Sequence, residues 1–524
     1  GSVASTPEEV GKELQGRMLN WFRSQLRITD RWESWEGMMT LDPNRLAEGS
    51  KEEWGQMVQE CYKELMEESG EEWSKSLRDK IGSEETWEVI RTGKDSAAGK
   101  SGIGNKILGL LGKDQIQPLV DFYNVCLEKG EIPDSINHAM ITLLPKTEDG
   151  LANVDKTRPI NLMENVVKVY ERIIMNRIVG GLMRHNKIDL SQYGGLPRAG
   201  CAPPKRIFAE VMDDAREAGK PLHLFVTDLS KAFDSMEYWS QAMSWRAMGL
   251  QEHMVKVLVN MDSGSGAGIW DEYDETKGAT SQIMTSHGHK SDPFKHGRGV
   301  RQGSCGGPIK WIVFVNAWLR WIKKKMKGKG YRMSGAEQRS IKTGSTEEIV
   351  EVIASLFIDD AMWVTDRAQH MQEMVRMHEK WCAFHAVYLN KEKCTYMAIN
   401  TEVDYPITWA EKEKTEDGHS KMERGRPVHL RVQRTGALGK PFKGDGRYVK
   451  YLGVEYEAVR GWRRQTEVLS RKLSTNLKLV KEAKLTAQQA VRMINGKVIP
   501  MMRYVMDVAV IPKQVLKRWD TQCR

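Results

Sequence analysis

The stretch Ile353–Asp366, "IASLFIDDAMWVTD", sets two adjacent carboxylates, Asp359 and Asp360, between two apolar runs. Short apolar runs bounded by polar residues read as buried strands, so the two acids stand at the junction of a strand pair. Asp is common in turns, and a solvated acidic turn would account for the pair without any chemistry. A second stretch widens the reading. "PLHLFVTDLSKAF" (Pro221–Phe233) carries another strand signature, which ends at Asp228. If the two strands are neighbours in one sheet, their ends bring several carboxylates together. Such a cluster is costly unless a cation offsets the repulsion, and hard divalent cations take oxygen ligands. Two ions about 3.5–4 Å apart are the usual device for displacement at phosphorus.

Bulk properties limit the class. The chain has 524 residues, 40% of them hydrophobic and 28% charged, enough for two to four units with cores of their own. No run of about 18 apolar residues is present, so no membrane span is expected. The opening "GSVAS" reads as a cloning scar, not a signal peptide. Seven dispersed cysteines (Cys61, Cys126, Cys201, Cys305, Cys382, Cys394, Cys523) form no C-x-x-C pair and no zinc spacing, which fits a reduced intracellular protein. The net charge of +9 hides a gradient: residues 1–90 hold 20 acidic and 11 basic side chains, residues 461–524 hold 4 and 14. The basic end points to a polyanion partner, the acidic start does not.

Along the chain, "WGQMVQECYKELMEE" (Trp54–Glu68) reads as an amphipathic helix with a packing role. "GKDSAAGKSGIG" (Gly93–Gly104) imitates a phosphate-binding loop, but five residues separate Gly93 from Gly99 where the Walker pattern has four. A strand is expected at Ala139–Leu144, a long helix at Asn161–Met183, an irregular region at 262–300, a helix over "PIKWIVFVNAWLRWIKKKMKGKG" with a wet basic end (Lys323 to Lys329), and a helix at Met371–Val387. Basic helices follow Trp462.

Taken together, these segments resemble a reverse transcriptase, of the non-LTR retrotransposon (LINE-like) type or a domesticated relative. "FVTDLSKAFDSM" (Phe225–Met236) resembles the first catalytic motif of that family, and "GVRQGSCGGP" (Gly299–Pro308) the template- and nucleotide-contacting motif. "FIDD" (Phe357–Asp360) stands at the paired-aspartate motif, "YLNKEKC" (Tyr388–Cys394) at the Asn-x-x-Lys motif, and "YLGV" (Tyr451–Val454) at the hairpin that grips the primer end. "LPKTEDGLANVDKTRPINL" (Leu144–Leu162) and "QYGGLPRAGC" (Gln192–Cys201) resemble the fingers segment and the segment before the catalytic strand. The Gly93–Gly104 loop then becomes the first fingers loop. The motifs occur in order over roughly 90–500 of the chain.

The resemblance implies an α+β right-hand polymerase with an antiparallel-sheet palm, fingers and a helical thumb. It divides the chain into an acidic helical extension (1–90), fingers with the start of the palm (91–220), palm (221–460) and a basic thumb (461–524). It also implies RNA-directed DNA polymerase activity with two Mg²⁺ ions, Mn²⁺ as a substitute, and RNA template, DNA or RNA primer and dNTPs as partners. Asp228 and Asp359 are the expected metal ligands, with Asp360 as a supporting carboxylate and Lys393 as proton donor or counter-charge to pyrophosphate. Lys146 and Arg158 are expected on the triphosphate, where a point charge and a forked donor suit polyphosphate. Phe233 is expected beneath the sugar, and Gln302 and Gly303 over the nascent base pair. Arg301, Tyr451, Leu452, Gly453, Arg463, Arg464, Arg471 and Lys472 are expected on template or primer, together with the thumb lysines Lys478, Lys481 and Lys484.

Departures from the family pattern are Ser304 where Asp is common, Cys305-Gly306-Gly307 where Leu-Ser is common, and Ile358 where Ala is frequent. The branched Ile358 is expected to narrow the space near the primer end. No endonuclease, RNase H or zinc-knuckle segment is legible, and the end at "WDTQCR" suggests the core of a longer protein. Location is expected to be intracellular, and nuclear for a eukaryotic element or its domesticated derivative. The alternative function is a domesticated RNA-binding protein with weak or absent synthesis.

Overall fold

The computed structural model describes residues 6–22, 56–70, 72–146, 157–197, 200–264, 277–285, 288–334, 350–391, 393–401, 407–409, 412–414, 420–422, 428–429, 432–434, 448–458 and 461–523. Residues 54–55 of the first helical segment, 147–156 of the fingers-like segment, 198–199, and 265–276 of the region expected to be irregular lie outside the described residues. The class is α+β, with helices and mainly antiparallel sheets. The chain forms two compact units: residues 1–189, 230–321 and 381–388 make the first, and residues 190–229, 322–380 and 389–524 the second.

The second unit is built on a five-stranded sheet. Its central strand, Leu222–Thr227, is buried along its whole length. It pairs antiparallel with Asp360–Thr365 on one side and Thr395–Ile399 on the other. Asp360–Thr365 pairs in turn with Ala354–Phe357 as a hairpin. Alternation across the sheet sends Leu222, Leu224 and Val226 into a core with Met362, Val364, Met397 and Ile399. Helix Ala202–Ala218 supplies Phe208, Val211, Met212 and Ala215 to that core. The opposite face carries Phe225 and Trp363, paired in register, with His378 tilted between their rings at 5.7 and 4.5 Å. Both faces are covered, so every residue of the strand is buried, His223 and Thr227 included. The hairpin Tyr448–Tyr451/Val454–Glu457 packs on the same core, as do Leu469 and Leu473 of helix Arg463–Glu482.

The first unit holds a four-stranded sheet in which His138–Pro145 lies between Thr157–Met163 and Thr280–Ile283, with Phe294–Lys295 at the far edge. The expected helix over Asn161–Met183 starts later, at Asn165. Residues Thr157–Met163 alternate buried and open and pair as an edge strand, the position where Pro159 is tolerated. Helix Asn165–Arg184 buries Ile173, Ile174 and Ile178. Helix Gly307–Lys325 buries Trp311, Phe314 and Trp318, the last stacked on Trp381 at 4.7 Å. The described part of the Trp54–Glu68 segment is helical, with one π-turn at Gln59–Lys63. Its Tyr62 hydroxyl bonds His385 Nε2 at 2.9 Å inside the core, so this segment packs as expected. None of the seven cysteines is in a disulfide. Among the described residues no helix is long and apolar enough to cross a membrane.

The Gly93–Gly104 loop is no phosphate cradle in this fold. The Glu164 carboxylate accepts from Ser101 N (2.9 Å) and Ser101 Oγ (2.5 Å), and Lys168 Nζ donates to the Ala97 carbonyl. An anionic side chain already occupies the donors that an anionic ligand would need.

Candidate active site

The register of the second unit explains how the acids meet. Ala361 pairs with Thr227, so the next residues outward on the two strands are Asp360 and Asp228. Asp359 lies in the turn between the hairpin strands, beside Ile358, whose φ is +60°. The three carboxylates thus belong to one open end of the sheet. Their mutual field is visible on Asp360: burial, then the charges of Asp359 and Asp228, push its carboxyl up to about 6, against the opposing pull of Lys393 and Lys450.

Asp228 is held from the following segment. Asn390 N donates to its carbonyl at 2.8 Å, and Lys393 Nζ stands 3.2 Å from its carboxylate. The turn that places Lys393 is closed by Lys393 N and Cys394 N donating to Asn390 O. Asn390 and Lys393 therefore act through one local structure, which explains the spacing of the Asn-x-x-Lys pattern. Lys393 itself is largely open to solvent.

Among the described residues no three His, Cys, Asp or Glu side chains form a ready cage for a metal ion. The donor set still suits Mg²⁺, which usually takes one or two carboxylates, waters and substrate phosphates in place of an all-protein cage. Oxygen donors only, a carboxyl raised by burial and by its acidic neighbours, and an exposed lysine as counter-charge fit such an ion.

In the first unit, the Gly299–Ser304 loop lies on the turn that carries Phe233. Val300 N donates to Phe233 O at 2.9 Å and Gly299 N to Met236 O at 2.8 Å. Gln302 Nε2 reaches both oxygens of Asp234 at 2.9 Å, and Asn161 N donates to Gln302 O. Gly303 has φ +134°, and a Cβ there would fall 2.2 Å from Asn161 O, so only glycine fits. Phe233, Gln302 and Gly303, three residues expected at the nucleotide, are brought together. The Phe233 ring is half-buried and rests on Trp311 at 5.5 Å. Asp234 is the anchor of Gln302. Lys146 and Arg158 are exposed and lie at the same end of the strand pair in which Leu144 faces Arg158.

Several expected nucleic-acid contacts are corrected. Arg301 is 2% exposed; its guanidinium donates to Asn137 Oδ1 and Met261 O at 2.5 Å and serves to hold the loop, not to meet a template. Tyr451 and Leu452 are buried. The Tyr451 hydroxyl donates to Ser355 O at 2.9 Å, and Leu452 O accepts from Tyr504 at 2.8 Å. Neither side chain is offered to a primer; Gly453, with φ +75°, leaves backbone exposed at the turn. Arg464 is committed to Glu455 (2.6 Å) and to the face of Tyr448 (3.4 Å). Arg463, near Glu467 at 3.7 Å, remains largely exposed, as do Arg471, Lys472, Lys478, Lys481 and Lys484. In the Lys323–Lys329 run, Lys323 donates to Ser191 and Lys329 pairs with Glu373.

Sequence reading missed the support beneath the Gln302 loop. Lys310, fully buried, pairs with Asp262 at 2.7 Å and Glu171 at 3.3 Å. Glu171 also accepts from Ser304 Oγ (2.5 Å) and Cys305 N (3.1 Å). This explains Ser304: an Asp there would face a buried carboxylate. The only signal was a lone Lys within an otherwise apolar helical run.

One open end of the sheet thus carries three acids, with Lys393 from the neighbouring strand's entry against Asp228. A profile of the reverse transcriptase (RNA-dependent DNA polymerase) family matches residues 144–456. The chain belongs to that family. It is 22% identical over 401 residues, 76% of its length, to the Pol polyprotein of the type-2 retrotransposable element R2DM of Drosophila melanogaster, of which it covers 32%. It is 24% identical over 307 residues to the Pol polyprotein of the type-1 element R2 of Nasonia vitripennis, covering 57% of this chain and 26% of that one. The RNA-directed DNA polymerase from the mobile element jockey of Drosophila melanogaster is 24% identical over 307 residues, covering 57% of this chain and 29% of the relative. The chain thus spans about a third or less of these relatives.

Proposed function

We propose that this chain is an RNA-directed DNA polymerase that extends a primer 3′ hydroxyl with dNTPs on an RNA template. The observation that carries the reading is the meeting of Asp228, Asp359 and Asp360 at one strand end, with Lys393 against Asp228. Asp228 and Asp359 would hold two Mg²⁺ ions, with Asp360 in support. When bound, the ions lower the barrier by activating the 3′ hydroxyl and neutralising charge on the reacting phosphate. The 3′ oxygen forms its bond to the α-phosphorus as the bond to pyrophosphate breaks. Lys393 supplies a positive charge, and a proton where needed, to the leaving group. Lys146 and Arg158 are assigned to the triphosphate, Phe233 to the sugar, and Gln302 and the exposed Gly303 backbone to the base pair.

The right-hand architecture belongs to the same proposal. The five-stranded sheet with its acidic end would be the palm, the segment 91–220 would supply the fingers and the start of the palm, and the helices after Trp462 the thumb. Arg463, Arg471, Lys472, Lys478, Lys481 and Lys484, all exposed, are assigned to phosphates of a duplex, which they would position without reading its sequence.

The test is primer extension on poly(rA)/oligo(dT) with dTTP and Mg²⁺ across a range of salt. Extension is expected, with template binding that weakens steeply as salt rises. Absence of extension with either Mg²⁺ or Mn²⁺ would refute the reading.

A further inference from the structure

The turn that carries Asp359 is held in an unfavourable backbone conformation. Ile358 has φ +60°, a region in which a β-branched residue is an outlier. Such strain persists only where surrounding structure over-determines it. Here the surroundings are visible. The segment Ser191–Gly194 runs beside the hairpin edge: Leu356 N donates to Ser191 O and Tyr193 N to Leu356 O, both at 2.8 Å. From this segment Gln192, 4% exposed, turns its amide onto the Ile358 peptide. Gln192 Oε1 accepts from Ile358 N at 3.0 Å and from Gly194 N at 3.0 Å, and its Nε2 lies 3.5 Å from Ile358 O.

Gly194 completes the seat. A Cβ on Gly194 would fall 2.5 Å from both Ile358 N and Ile358 Cγ1. The branched side chain that distinguishes this turn therefore lies against the one residue that leaves it room. Ile358 and Gly194 fit each other, and Gln192 spans both.

We propose that Gln192 is a positioning residue: it holds Ile358 in the left-handed conformation and thereby aims the carboxylate of Asp359 toward the metal pair. This rests on the metal-dependent reading of the Asp228–Asp359–Asp360 cluster. Gln192 is buried and its amide is spent on Ile358 and Gly194. Its influence passes through one peptide unit, as outer partners of metal ligands act through the ligand they orient.

The test uses Gln192→Leu, which keeps the shape and removes the hydrogen bonds, and Gly194→Ala, which presses on the turn from the other side. Each is measured by thermal melting, by Mn²⁺ binding followed by electron paramagnetic resonance without nucleic acid, and by primer extension. Folded Q192L is expected to bind Mn²⁺ about tenfold more weakly and to lose about tenfold or more in kcat, with the KM for dTTP within about twofold of wild type. G194A is expected to give the same signature, and it carries the test if Q192L fails to fold. Glycine takes φ +60° at no steric cost, so Ile358→Gly in the Q192L background should recover part of both losses, a non-additivity read from the double-mutant cycle.

Wild-type Mn²⁺ affinity and kcat in both folded variants would overturn the proposal, as would strictly additive losses in the cycle. If the wild-type protein bound Mn²⁺ and Q192L weakened that binding, but no primer were extended, the polymerase reading would fail while the role of Gln192 stood.

Discussion

Lys310→Met is the sharpest test of how the Gln302 loop is built. Lys310 is fully buried between Asp262 at 2.7 Å and Glu171 at 3.3 Å, both also buried. Burial by itself would lower the ammonium's pKa, but the two carboxylates more than offset it and hold the pKa above its ordinary value. Glu171 shows the converse: burial pushes it up, while Lys310, Ser304 and Cys305 bring it below the usual range. Methionine fills similar volume but leaves two uncompensated acids inside. Breaking a buried pair in this way costs about 3–5 kcal/mol. Because Glu171 also holds Ser304 and Cys305, the loss should spread to Gln302 and Gly303, raising the KM for dNTP more than it lowers kcat. The assay is denaturant unfolding followed by Trp fluorescence, with steady-state extension on the surviving fold. The triple change Lys310→Met, Glu171→Gln, Asp262→Asn removes the stranded charges and should recover part of the stability. A Lys310→Met protein within about 1 kcal/mol of wild type would refute the reasoning, since the pair would then carry no net coupling.

Phe233→Ala should raise ribonucleotide incorporation relative to dNTP; an unchanged ratio would leave the ring a packing partner of Trp311 only. Gly303→Ala forces a Cβ to 2.2 Å from Asn161 O at φ +134°, so the loop must move; a marked rise in the KM for dNTP is expected, and wild-type kinetics would contradict the geometry. His378, enclosed by Phe225 and Trp363, is pushed by burial down to about 3. It is neutral when folded and takes up a proton on unfolding, so its contribution is complete above pH 6.5 and is lost as pH falls toward 3. Its share of the slope is about 1.4 kcal/mol per pH unit. His378→Phe should flatten the acid limb of the stability profile between those values, and an unchanged limb would show that the imidazole does not titrate there.

The acids were legible because local sequence dictates them. A mostly apolar run ending in Asp228, and two more flanking Asp359 and Asp360, became strands of one sheet in which Asp360 and Asp228 stand across from each other. The boundary at Asn161–Met163 was not legible, because helical spacing continues upstream into residues that the neighbouring strand claims by pairing. Arg301 was misread for a related reason: a basic residue in a loop gives no sign of whether it will lose its water, and here Asn137 and Met261, distant in sequence, take up its donors. Gln192, Glu171 and Lys310 escaped notice for the same cause. Their importance lies in what they touch across more than 100 residues of chain: Gln192 the Ile358 peptide, Glu171 both Ser304 and Lys310.

The central claim is that the acids at the end of the central strand perform metal-dependent nucleotidyl transfer. Asp228→Asn keeps the shape and removes one charge of the cluster. On poly(rA)/oligo(dT) with dTTP and Mg²⁺, the account predicts loss of extension by at least about 10³-fold, or about 4 kcal/mol of barrier, with primer–template affinity nearly unchanged. Extension by D228N at the wild-type rate would contradict it.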